Sequence, residues 1–401
     1  MREQTSERVA RAIEQAIAAG EIPGCNLLVL RDGEELYYHE AGWADAAGRK
    51  PVRRDSIFRL YSMSKPVTAV AAMILLERGI ISLCEPVSHY LPAFRDQVCV
   101  VEGQRVRPAR EITLKDLLNM SSGLVYGSSL PDAHPAERAM QALFDTLQAD
   151  LDAGVEHSTA EVAQRIAACP LKFAPDSSWQ YGVSADVLGA VIEAASGVRF
   201  GDFLQRELFE PLGMMDTGFC VRSGQEHRLV TAYRRGQAPL EPYRANHLVI
   251  RNAMDHRPAF ESGGAGLVST VDDYARLATM LLQGGAYQGR RILQPATVAY
   301  MTGGRLRPHQ QAAMNNWQGL EGYTYANFMR ILDRPGQAVC LAQAGEYGWD
   351  GWLGCYFANL PGSRLTFLLM TQVTDAGTLP ITRKVRNCIL AELLSQEGAA
   401  S

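Results

Sequence analysis

The chain of 401 residues contains no run of about 18 consecutive apolar residues, the length a helix needs to cross a bilayer, so no membrane association is expected. It also lacks a strong charge of either sign. Lys and Arg number 39 against 43 Asp and Glu, a formal net charge of -4, and the arginines are scattered among acidic residues. No basic stripe is present to follow a phosphate backbone, which excludes nucleic acid as an expected partner. The first twenty residues, MREQTSERVARAIEQAIAAG, lack the apolar segment of a secretory signal; Val9, Ile13 and Ile17 recur instead at helical spacing. A cytoplasmic location is the expectation.

The cysteines (Cys25, Cys84, Cys99, Cys169, Cys220, Cys340, Cys355 and Cys388) form no CxxC pair and no compact framework, so free thiols are expected rather than disulfides. The histidines include no HExxH motif and no close pair, which argues against a zinc site. No cofactor and no metal are expected. A G-x-S-x-G nucleophile elbow is missing as well: Gly182-Val183-Ser184-Ala185-Asp186 lacks the final glycine. GGAGLVS, from Gly263, has neither the third glycine nor the βαβ setting of a dinucleotide loop. Internal repeats and low-complexity segments are absent.

What is present is strand-like sequence at both ends and helical sequence between. CNLLVLRDG and EELYYHEAGWAD are two β-type runs joined at Asp32-Gly33, a dipeptide suited to a tight hairpin. From Ser62 to about Gly79 the pattern turns helical, with Val67, Val70, Ala71, Ile74 and Leu75 at three-and-four spacing, and the number of apolar positions implies burial. Residues 80–255 are helical patches separated by loops. QAVCLAQAGEYGWD, GWLGCYFANLP and RLTFLLMTQVTD then restore β-type runs, and RKVRNCILAELLSQ closes as a helix. The expected fold is α+β, an α/β sandwich whose antiparallel sheet is flanked by helices and built from both termini (1–61 and 256–401), with a mainly helical domain inserted at 62–255.

Three segments carry candidate chemistry. Ser62-Met63-Ser64-Lys65 lies where the polar, β-leaning SIFRLY gives way to the buried helix. Ser62 and Lys65 are one helical turn apart on the same face, so the amine can approach the hydroxyl as a base beside its nucleophile. Free N–H groups at a helix start favour negative charge there, and burial makes a lysine easier to deprotonate. Tyr181 precedes a second apolar helix beginning near Ala185, and a phenol beside a lysine can relay a proton. Gly345-Glu346-Tyr347-Gly348-Trp349-Asp350-Gly351-Trp352 is a glycine-rich strand edge that can bring a backbone N–H to a reacting carbonyl. Each segment alone also fits a bland role: an N-cap with a solvated lysine, a core tyrosine, a turn packed with tryptophans.

Taken together, and in this order, the segments resemble the S-x-x-K, tyrosine and K-T-G elements of the serine β-lactamase and penicillin-binding-protein superfamily. The chain is most similar to the class C β-lactamase-related branch that includes the family VIII carboxylesterases. ITLKDLLNMSSGL, WQYGVSADVLGAVIEAASG, FEPLGMMDTGF and GGAGLVSTVDDYARLATMLLQGG extend the resemblance over nearly the whole chain. It implies an active site between the sandwich and the helical domain, with Ser62 as acylated nucleophile, Lys65 as its close partner and Tyr181 as base or proton relay. It further implies an oxyanion hole from the backbone N–H groups of Ser62 and Trp352, with Trp349, Asp350, Gly351 and Val183 facing substrate.

Two departures from the pattern bear on substrate. Trp349 stands where the related β-lactamases carry the lysine of K-T-G, and Val183 where the tyrosine motif ends in asparagine. The first loses a cation for a substrate carboxylate, the second an amide for the acyl side chain. A small uncharged ester is therefore the expected substrate, acting through an acyl-enzyme. A β-lactamase, a D-amino-acid amidase or peptidase, and an acyltransferase of the same superfamily stay open, as does a ligand-sensing module that acylates without turnover. The stretch from about Val125 to His157 is the candidate for a substrate-selecting loop or lid.

Overall fold

The computed structural model describes residues 1–236 and 239–398. Its centre is an eight-stranded antiparallel sheet of β1 (Gly24–Arg31), β2 (Glu34–Asp45), β3 (Lys50–Pro51), β4 (Tyr323–Ala326), β5 (Met329–Leu332), β6 (Tyr347–Asp350), β7 (Tyr356–Leu360) and β8 (Leu365–Met370). The spatial order is β4-β5-β6-β7-β8-β1-β2-β3, so the two ends of the chain meet where β1 pairs β8, with Leu28 opposite Leu368. The β1–β2 hairpin turns at Asp32 and Gly33, both at positive φ (56° and 86°), the left-handed pair that matches strand twist.

β1 is apolar without alternation because both of its faces are covered. Leu27 and Val29 face a cluster formed with α1 (Glu3–Ala18) and α6 (Pro380–Gly398), through Val9, Ile13, Val385 and Ile389. Leu28 and Leu30 face the opposite cluster, which also holds Tyr274 and Leu277 of α5 (Val271–Leu282). This second cluster continues without a break into the helical region, through α2 (Ser64–Glu77), α3 (Pro135–Asp152) and α4 (Ser184–Ser196). From Ser64 to Leu75 every residue of α2 is buried, as expected of a helix that is apolar on all sides. A buried ion pair ties α6 to the sheet: Arg386 Nη2 lies 2.6 Å from Glu346 Oε2, and Tyr323 donates to the same carboxylate.

The structure differs from the sequence expectations in four places. Ser62 sits in a 3-10 turn, Tyr61–Met63, just ahead of α2 rather than in it. Of QAVCLAQAGEYGWD only Tyr347–Asp350 is strand, the part before it being irregular around a 3-10 turn at Pro335–Gln337. The β4–β5 hairpin, unforeseen, turns through Asn327 and Phe328 at φ 50° and 62°. Most of the stretch 125–157 is the ordered helix α3, anchored by buried Met140, Phe144, Leu147 and Leu151, so it forms a wall rather than a loose lid. Among the described residues no helix is long and apolar enough to cross a membrane, and all eight cysteines are free.

Candidate active site

The turn that carries Ser62 is fixed from several sides. The two residues Phe58–Arg59 pair with Val268–Ser269, and the buried Arg59 guanidinium donates to the carbonyls of Asn252 and Val230, both at 2.7 Å. Tyr61 follows with φ 46°, a left-handed backbone that a buried tyrosine adopts only where its surroundings impose it. Its ring packs against Trp352 at 4.9 Å. The end of β6 is pressed onto the same turn: a Cβ at Gly351 would stand 2.2 Å from the Leu60 carbonyl oxygen, so only glycine fits there.

Lys65, in the first turn of α2, is shut away from solvent. Its amine reaches Ser62 Oγ at 3.1 Å, Tyr126 Oη at 3.0 Å and the Gly264 carbonyl at 2.9 Å. Burial lowers its pKa from 10.5 to about 7, opposed by the charges of Asp186 and Asp350. The amine is thus poised between its two protonation states near neutral pH.

Tyr181 lies over this amine, with Lys65 Nζ 4.7 Å from its ring centroid. Burial raises the phenol above its ordinary value, while hydrogen bonding with Ser62 and Trp349 works the other way. The Trp349 indole donates to Tyr181 Oη at 2.9 Å. Trp349 is therefore not simply an apolar filler where a lysine is missing: its N–H holds the phenol. Tyr126 and Trp317 close on Tyr181 from other sides, with centroids at 5.7 and 5.0 Å.

Ser62 opens into a cleft of about 460 Å³. One wall is α3, which presents Phe144, Asp145 and Gln148, and the other is the β6 end with Trp349, Asp350, Gly351 and Trp352. Asp145 and Asp350 are the carboxylates of the lining, and no Lys or Arg is among the described residues that line it. His247 stacks on Trp352 at 4.1 Å, and burial holds its pKa below the usual value.

Of the residues singled out from sequence, Ser62, Lys65, Tyr181, Trp349, Asp350, Gly351 and Trp352 converge on this cleft or its floor. Val183 does not. It is the residue before α4, fully buried within the core, and presents nothing to the cleft. The backbone N–H of Trp352 has no acceptor among the described residues. Sequence reasoning missed Tyr126, the Gly264 carbonyl, Asp186 and His247. One signal for Tyr126 was available: like Tyr181 it directly precedes a glycine, in VYG and QYG.

Residues 9–386 match the family described as Beta-lactamase. The chain belongs to that family. It is 30% identical over 373 residues to Protein Rv1367c of Mycobacterium tuberculosis (strain ATCC 25618 / H37Rv), covering 90% of this chain and 88% of that one. Esterase EstB of Burkholderia gladioli is 29% identical over 400 residues, covering 96% and 95%. Among solved structures, EstCE1, described as a hydrolase with promiscuous acyltransferase activity, superposes with a TM-score of 0.80 at 27% identity, covering 96% of this chain and 98% of that one.

For this beta-lactamase-family chain, the fit of Gly351 against Leu60 yields a direct test. Gly351→Ala should displace either the β6 end or the Ser62 turn, costing about 1–3 kcal/mol of stability in urea denaturation. Fluorophosphonate labelling of the chain should slow by more than about tenfold, the size of a 1.4 kcal/mol effect on the barrier. Wild-type stability and labelling in the alanine chain would contradict the close fit.

Proposed function

We propose that the chain is a serine hydrolase that forms an acyl-enzyme on Ser62 and acts on small uncharged carboxylic esters. The observation that carries the reading is a solvent-excluded amine, Lys65 Nζ, 3.1 Å from a serine hydroxyl that opens into a cleft. An amine with a pKa near 7 is matched to removing a hydroxyl proton at neutral pH. Likeness to proteins named as an esterase and as a hydrolase with acyltransferase activity supports the same class. All eight cysteines being free suits a reducing, cytoplasmic compartment.

In this reading Lys65 takes the Ser62 proton as Oγ bonds to the ester carbonyl carbon. The resulting oxyanion sits between the N–H groups of Ser62 and Trp352, at the junction that Gly351 keeps tight. As the carbon–oxygen bond of the alcohol breaks, the Tyr181 phenol donates a proton to the leaving oxygen, and the Lys65 ammonium beside it restores the phenol. Water then attacks the acyl group with the same transfers reversed, returning Ser62 and releasing the acid. Tyr181 suits the donor role because burial keeps it a phenol.

The cleft supports a neutral substrate. Among the described lining residues the carboxylates are Asp145 and Asp350 and there is no Lys or Arg, so a carboxylate-bearing substrate meets repulsion and no Lys or Arg partner there. Aromatic rings from Tyr126, Trp317, Trp349 and Trp352 supply apolar contact instead.

A fluorophosphonate should form one adduct, on Ser62, and Ser62→Ala should abolish ester hydrolysis with the fold retained. Lys65→Ala and Tyr181→Phe should each lower turnover by at least about a hundredfold. Because neutral Lys65 is the reactive form, labelling should rise about tenfold per pH unit below pH 7 and level off above it. An adduct on another serine, or a flat profile from pH 5 to 9, would overturn the reading.

Specificity has its own test in Trp349→Lys. A cation at that strand position is worth about 1.5–3 kcal/mol to a substrate carboxylate. The ratio of β-lactam to neutral-ester activity should therefore rise roughly ten- to a hundredfold. A wild-type chain that hydrolysed a cephalosporin more efficiently than p-nitrophenyl butyrate would contradict the ester assignment.

A further inference from the structure

Asp186 is a buried carboxylate with no place in the mechanism above. It lies in the first turn of α4, 5% exposed, and among the described residues no Arg, Lys or His pairs with it within 4.0 Å. Its Oδ1 accepts the Ser262 hydroxyl and, at 3.1 Å, the Gly264 N–H. Ser262 Oγ in turn accepts the Ala265 N–H at 3.0 Å, while Thr68 of α2 donates to the Gly263 carbonyl at 2.7 Å. The loop 262–266 is thereby strapped between α2 and the start of α4. A Cβ at Gly264 would stand 2.9 Å from Asp186 Oδ2, so the loop approaches the carboxylate as closely as a glycine allows. The next peptide unit faces the base: the Gly264 carbonyl, which shares that unit with the Ala265 N–H held by Ser262, accepts from Lys65 Nζ at 2.9 Å.

A neutral amine has two N–H donors and one lone pair. A carbonyl oxygen can only accept, so Gly264 commits one N–H of Lys65 to itself. The Tyr126 hydroxyl, at 3.0 Å, can take the second, which leaves the lone pair for the Ser62 hydroxyl at 3.1 Å. The orientation of the base thus depends on where the Gly264 carbonyl is held, and Asp186 holds it through the Gly264 N–H on one side and through Ser262 and the Ala265 N–H on the other. The carboxylate also acts through space on the same amine. The groups that face Lys65 are Ser62 from the nucleophile turn, Tyr126 from the segment before α3, Tyr181 ahead of α4, Asp186 in the first turn of α4, Gly264, and Asp350 at the end of β6. Of these, Asp186 and Asp350 are the carboxylates, and Asp186 is the larger influence that favours the ammonium form.

We propose that Asp186 is a positioning residue: it holds the Gly264 carbonyl against the Lys65 amine, and its negative charge governs how firmly that amine keeps its third proton. The inference rests on the serine-nucleophile reading and deepens it. Asp186→Asn retains an acceptor oxygen for Ser262 and Gly264 and removes the charge, with an amide NH2 in place of Oδ2. The experiment follows fluorophosphonate labelling of Ser62 in the full chain from pH 4.5 to 9 for wild type and Asp186→Asn, with folding checked by circular dichroism. Loss of the charge makes the ammonium easier to deprotonate, so the midpoint of the labelling curve should move to lower pH by about one unit. At pH 6 the variant should then lie closer to its own plateau than wild type does, by about fivefold or more. Should the asparagine chain not fold, Asp186→Thr, likewise uncharged, should show the same downward midpoint with a lower plateau. A folded variant whose midpoint is unmoved or raised overturns the role of Asp186 and leaves the nucleophile assignment standing. A wild-type chain that takes no label on Ser62 at any pH overturns both.

Discussion

An ammonium group shut away from water must be partnered or give up its proton, since an isolated buried charge is among the most costly things a fold can contain. Lys65 meets that constraint part-way. It is wholly buried in an apolar helix, with a carbonyl, two hydroxyls and two carboxylates at longer range in place of a direct ion pair. Burial and the distant carboxylates pull in opposite directions, and the balance falls near neutrality. The packing of α2 produces this setting: a helix buried on every side from Ser64 to Leu75 leaves its only lysine nowhere to go but the gap under Ser62. Core formation and the chemistry of the site are here one process.

Around that amine the fold brings together pieces from four distant parts of the sequence. The turn into α2 and its first residues supply Ser62 and Lys65, the segment before α3 supplies Tyr126, the approach to α4 supplies Tyr181, and the end of β6 with the residue after it supplies Trp349 and Gly351. Trp349 joins two jobs. Its ring lines the cleft and its N–H holds the Tyr181 oxygen, so the phenol has a donor at a strand position that carries no cation. The strained backbone at Tyr61 lies at the meeting point of these pieces, and strain of this kind persists where surrounding contacts over-determine the geometry.

The large features were legible in the chain for physical reasons. Period-2 and continuous apolar runs at both ends, a left-handed Asp-Gly turn and an all-apolar helix after Ser62 each leave a local imprint, and the family resemblance placed the three motifs in one site. What escaped was set by tertiary contact. The β4–β5 hairpin turns on Asn327-Phe328, and a phenylalanine gives no turn signal; its left-handed backbone is held by burial and by a hydrogen bond from its N–H to the Leu118 carbonyl. QAVCLAQ looked like a strand because its residues are apolar, yet Val339 and Leu341 are exposed and irregular. Val183 was assigned to the cleft from its position in a motif, but at the head of α4 its side chain enters the core. Asp186 and the Gly264 carbonyl are meaningful only through each other and through Lys65, 78 and 199 residues apart along the chain, and no local pattern announces such a triplet.

The claim at the centre of this account is that Ser62 becomes covalently acylated during turnover. The direct measurement is acid quenching within the first turnovers on p-nitrophenyl butyrate, followed by proteolysis and mass spectrometry. The account predicts a single butyryl group, on the peptide containing Ser62, appearing in step with a burst of p-nitrophenol of up to one per chain. Turnover with a butyryl group on any other residue, or steady turnover with Ser62 replaced by alanine, would contradict it.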